Sequence, residues 1–105
     1  MSVMALGWAG DIPAGATRVY DAGERRILVA HIGDQFYALD AKCPHMGGDL
    51  SRGRLEGTVL TCPCHDWRFD VRDGGLLEAP EVKLTTYGCR VEDGGVLVRL
   101  EEAPR

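Results

Sequence analysis

Two short arms, Cys43-Pro44-His45 and Cys62-Pro63-Cys64-His65, constrain this chain more than anything else in it, because each sets one thiol beside one imidazole. A fold that uses both arms must hold two loops face to face. Cys43, Cys62 and Cys64 all lie within three residues of a histidine, and residues 1–10 carry neither a basic start nor a secretory apolar run. Metal binding is therefore a better use of these cysteines than disulfides, and a cytoplasmic location is expected. No stretch approaches the roughly 18 apolar residues of a membrane span.

A chain of 105 residues has room for one domain, taken as residues 1–105, with a small core that a metal staple would reinforce. The net charge of -4 and pI near 5.3 argue against nucleic acid or an anionic membrane as partner. Protein or small-molecule partners are expected instead.

The pattern along the chain is that of short strands and tight turns. Val3 to Asp11 suits an opening strand, turning at Pro13-Ala14-Gly15, and Val19-Tyr20 leads to a turn at Gly23. Ile27-Leu28-Val29-Ala30-His31-Ile32 reads as a core strand, and Gly33-Asp34 turns it into a hairpin with Phe36 to Leu39. The first arm then hangs from the end of a strand. Gly47, Gly48, Gly53 and Gly57 make Met46 to Gly57 a loop rather than a long helix. Thr58 to Thr61 is a short strand delivering Cys62, and Trp67, Phe69 and Val71 alternate with polar neighbours in the strand that follows the second arm. That strand closes at Asp73-Gly74-Gly75, and Thr86 to Val91 with Val96 to Leu100 form a terminal hairpin around Asp93-Gly94-Gly95. No convincing helix, repeat or linker is present.

The arms combine as Cys-x-His, sixteen residues, then Cys-x-x-His. Two thiolates and two imidazoles suit zinc or a binuclear iron-sulfur centre. Zinc arms usually separate neighbouring cysteines by at least two residues, whereas the first arm here is mixed and has one residue between its ligands. The spacing favours iron-sulfur. If each arm straddles a [2Fe-2S] rhomb, one iron gains Cys43 and Cys62 and the other gains His45 and His65.

The two boxes resemble those of the Rieske family, and the likeness extends over nearly the whole chain. It implies an all-β antiparallel sandwich or barrel with a cluster-binding subdomain made of two loops. A third, proline-bearing loop is expected at Leu76 to Pro80, and solvent on the histidine side of the cluster. It also implies one [2Fe-2S] cluster per chain on Cys43, His45, Cys62 and His65. The leading expectation is a soluble electron carrier, not itself an enzyme, taking electrons from a flavoprotein reductase and passing them to a terminal oxygenase. High-potential members of the family carry an extra disulfide between the two loops, with serine and tyrosine hydroxyls near the cluster. Here Gly48 leaves Cys64 without that partner, and Trp67 and Phe69 stand where the hydroxyls would be, so a potential low in the Rieske range is expected.

The neighbouring residues also carry plainer roles. Pro44 and Pro63 fix the backbone beside the ligands, Gly47 and Gly48 permit a close approach, and Met46 either shields the cluster or packs the loop. Trp67 is read as core rather than docking surface, and Cys89 as a small buried hydrophobe. His31 is the one histidine left after the cluster is filled, and it lies in the core strand. An oxygenase's mononuclear iron needs two histidines and a carboxylate, so the chain is not a catalytic oxygenase subunit. Two other readings stay open: a small subunit of an assimilatory nitrite reductase, and a redox-inactive module stabilised by zinc.

Overall fold

The run from Ile27 to Ala30 is apolar at every position because both of its faces are buried, each of the four residues being fully inaccessible. Leu28 and Ala30 face one core with Leu39, Leu60, Phe69 and Val71, while Ile27 and Val29 face a second with Ile12, Val96 and Val98. A fully buried aliphatic side chain contributes roughly 1.5–3 kcal/mol, so this one strand ties together most of the stabilising burial.

The computed structural model describes residues 3–23, 25–42, 50–63 and 66–99. The strands are β1 (Val3–Trp8), β2 (Thr17–Ala22), β3 (Arg25–Ile32), β4 (Gln35–Asp40), β5 (Arg54–Glu56), β6 (Val59–Thr61), β7 (Arg68–Asp70), β8 (Gly75–Leu76), β9 (Ala79–Lys83), β10 (Thr86–Glu92) and β11 (Gly95–Arg99). Single 3-10 turns at Ala9–Asp11 and Leu50–Arg52 are the helical elements among the described residues. All strand pairs are antiparallel, in a six-stranded sheet ordered β1-β11-β10-β4-β3-β2 and a five-stranded sheet ordered β5-β6-β7-β8-β9. The expected all-β antiparallel architecture is what forms.

The turn chemistry accounts for several of these joints. Asp93 and Gly94 have φ of +51° and +80°, the double left-handed pair that a two-residue hairpin favours, and Gly95 already belongs to β11. His31, expected to be structural, is so: its Nδ1 is 2.7 Å from the Ile12 carbonyl oxygen, and its ring stacks on Phe36 at 4.0 Å.

The segment read as a loop up to Gly57 needs correction, because Arg54 to Glu56 pairs with β6 as a strand. Its charged ends and flanking glycines conceal an edge strand whose one inward residue is Leu55, packed against the core. Likewise, Leu76 to Pro80 is a tight hairpin rather than an open loop, with Leu76 paired to Ala79 across Leu77 and Glu78. Pro80 is tolerated because β9 is the edge of its sheet.

Tyr87 joins the end of β4 to β10, its hydroxyl donating to Asp40 Oδ1 at 2.7 Å. Burial, and then that hydrogen bond, push the phenol up to about 12 from its ordinary 10. Its folded-state pKa is thus raised, so the associated stability is complete below pH 10 and is lost as pH rises toward 12. Tyr87→Phe is expected to cost about 1 kcal/mol at neutral pH. In urea titrations the variant should then lose less stability than the parent between pH 10 and 12; equal losses would contradict the assignment.

Candidate functional site

Each arm leaves the fold through a root closed by one backbone hydrogen bond. At the first, the Leu50 amide donates to the Ala41 carbonyl at 2.8 Å, which brings together the described residues on either side of the arm. At the second, the Cys62 amide donates to the Trp67 carbonyl at 2.7 Å, extending the β6-β7 hairpin beyond its last pair, Thr61 with Arg68. Asp66, with φ of +56°, supplies the left-handed step needed to turn back into β7, and aspartate is one of the few non-glycine types that tolerate it.

The roots are anchored in the core. Ala41, Leu50 and Cys62 are buried to within 1% of full inaccessibility and belong to the same apolar cluster as Phe69, Val71, Leu76 and Leu84. Two further backbone bonds hold the end of β4: the Asp40 amide donates to the Thr85 carbonyl at 2.9 Å and the Ala41 amide to the Arg26 carbonyl at 3.0 Å.

Gly53 brings the exit of the first arm against the entrance of the second. A Cβ there would collide with the carbonyl oxygen of Thr61, the residue before Cys62, and lie 3.1 Å from the Leu50 carbonyl oxygen. Only a glycine permits that approach. The hairpin at Leu76 to Pro80 lies beside the start of β7, with the Leu77 amide donating to the Arg68 carbonyl at 2.9 Å and Arg68 paired to Glu78 at 3.0 Å.

Of the four expected ligands, Cys62 is described, whereas Cys43, His45 and His65 lie outside the described residues. So do Pro44, Met46, Gly47, Gly48 and Cys64. Held as a thiolate, the wholly buried Cys62 would need a compensating cation, which a metal centre on the two arms would supply. Two ferric ions, two sulfides and two thiolates sum to zero, which makes the oxidised binuclear centre compatible with such a site.

Trp67 is half-buried against the core and tilts 53° from Phe69 at 6.4 Å, in keeping with its reading as packing. Cys89 is half-buried on β10, and burial pushes its thiol up to about 11, so it stays protonated and takes the part of a small hydrophobe. The sequence reading takes Gly53 only as a loop glycine and does not single out Asp40 or Tyr87. Gly53 had a signal in the cluster of glycines between the arms, but Asp40 and Tyr87 are 47 positions apart and had none.

Comparison with known proteins gives these arms a context. The family model of the Rieske [2Fe-2S] domain matches residues 2–88. The ferredoxin component of the alkene monooxygenase system of Xanthobacter autotrophicus is 35% identical over 96 residues, covering 90% of this chain and 79% of that protein. The ferredoxin component of biphenyl 2,3-dioxygenase from Rhodococcus jostii is 36% identical over 94 residues, covering 89% of this chain and 88% of that one. Among solved structures, a chain from the complex of reduced oxygenase and oxidised ferredoxin in carbazole 1,9a-dioxygenase superposes with a TM-score of 0.84 at 33% identity. The superposition covers 94% of this chain and 97% of that chain.

Gly53→Ala should destabilise the protein by about 2 kcal/mol, the usual cost of forcing atoms into a filled site, and should reduce the iron retained after purification. Thermal unfolding and metal analysis read both effects; an unchanged melting temperature would show that the two roots do not meet as described.

Proposed function

This chain belongs to the Rieske [2Fe-2S] family, and on that footing we propose that Cys43 and Cys62 hold one iron while His45 and His65 hold the other. When bound, the cluster supplies one-electron redox chemistry. The protein's task is to pass single electrons from a reductase, which we take to be a flavoprotein, to a terminal oxygenase. The observation that carries this reading is the near end-to-end match with ferredoxin components of oxygenase systems. It also favours oxygenase partners over a nitrite reductase, and the family match favours a cluster over zinc.

The chain's own contribution is positional and dielectric. The two closed roots limit how far the arms can swing, so little rearrangement accompanies a change of charge. Phe69 and Leu76 pack in the same buried cluster as Cys62 and keep water from the protein side of its thiolate. The outer edges of His45 and His65 are the proposed exit for the electron. Among the described residues the histidine is His31, committed to Ile12 and Phe36, which supports a carrier rather than a catalytic oxygenase subunit. No helix among the described residues is long and apolar enough to cross a membrane, and we place the protein in the cytoplasm.

Reduced anaerobically, the protein should show the EPR signal of a mixed Cys/His binuclear cluster, and His45→Cys or His65→Cys should alter both that signal and the visible bands. Unchanged spectra in both variants would remove these histidines as ligands. With Trp67 and Phe69 in place of hydroxyl donors, the midpoint potential should lie near the low end of the Rieske range, about -150 mV. A clearly positive midpoint at neutral pH would contradict this.

A further inference from the structure

Asp40 is the last residue of β4, and its side chain lies on the side of the strand that Ala38 occupies, facing Tyr87. Ala38 packs in the core that holds Tyr87, Val96 and Val98, whereas Leu39 and Ala41 pack in the core that holds Cys62. Its amide is bonded to Thr85 and its carboxylate accepts from Tyr87 at 2.7 Å. The Arg25 guanidinium lies over the Tyr87 ring, 5.7 Å from its centre. The three residues, drawn from β3, β10 and β4, bring a cation and a carboxylate to the same phenol.

Asp40 stands three residues before Cys43 in the sequence, so their Cα atoms are no more than about 11 Å apart. Salt screens a partly buried charge less than an exposed one, so a carboxylate at the root of this arm still acts on a charge that the arm holds. Reduction adds one negative charge to the centre, so a carboxylate held nearby opposes reduction and a nearby guanidinium favours it.

We propose that Asp40, held by Tyr87 and balanced by Arg25, is a positioning and potential-setting residue for electron transfer. Tyr87 fixes where the negative charge stands at the root of the first arm, and Arg25 limits how strongly it acts. The inference rests on the reading of the arms as a Rieske centre. A residue that merely packed β4 against β10 would affect stability and leave the potential alone.

The test is potentiometric titration of the cluster-loaded protein, followed by visible absorption and EPR, for the parent, Asp40→Asn, Arg25→Gln and Tyr87→Phe. Asn keeps an acceptor for the phenol and discards only the charge, so Asp40→Asn should raise the midpoint potential. Arg25→Gln should lower it, and Tyr87→Phe, which leaves the carboxylate in place, should not raise it. Shifts of opposite sign in the Asp40 and Arg25 variants establish the role; unmoved midpoints in both, with intact spectra, overturn it. Should Asp40→Asn fail to fold, the sign of the Arg25→Gln shift decides alone: a fall supports the proposal, and no change or a rise overturns it. A parent protein lacking the cluster's visible bands would instead overturn the reading of the site itself, and this inference with it.

Discussion

Two backbone hydrogen bonds, Leu50 to Ala41 and Cys62 to Trp67, close the roots of the two arms that carry the proposed ligands. Their importance comes from what they join. Ala41 and Cys62 each sit at the end of a strand and in the same apolar core, so each loop departs from a point that burial has already immobilised. A binuclear centre shared by two loops needs this, because any independent motion of the roots would strain four metal bonds at once. The five-stranded sheet is small, and its role is to present β6 and β7 as a stiff hairpin whose tip is the second arm.

The larger sheet supplies the other root. Strand β3 is buried on both faces and pairs with β4 along its length, so the position of Asp40 and Ala41 follows from the packing of Ile27, Leu28, Val29 and Ala30. Beside that root the Asp40 carboxylate accepts from the Tyr87 hydroxyl, and the Arg25 guanidinium lies over the Tyr87 ring. The surface ion pairs, such as Arg26 with Asp21 and Arg54 with Glu56, join exposed side chains and add little. Packing places the arms, and a few charged groups act on what they hold.

Much of this was legible in the residues. The run from Ile27 to Ile32 and the Asp93-Gly94 turn carry local signals strong enough to survive folding, and the mixed arms name their chemistry by residue type and spacing. Strands β5 and β9 were missed for a physical reason: edge strands discourage further pairing with charges and proline, and those are the residues that make Arg54-Leu55-Glu56 and Ala79-Pro80-Glu81 look like loop. The pairing of β1 with β11 joins the two ends of the described chain, and no local pattern reports such a contact. The same holds for the approach of Gly53 to Thr61 and for Tyr87 on Asp40, which exist only once separate strands have been brought into register.

The central claim is that two mixed Cys/His arms on closed roots hold one binuclear iron-sulfur cluster per chain. Quantifying iron, acid-labile sulfide and zinc in the anaerobically purified protein tests it most directly. Two irons and two sulfides per chain, with no stoichiometric zinc, is the composition this account predicts. A colourless protein carrying one zinc and neither iron nor sulfide would contradict it.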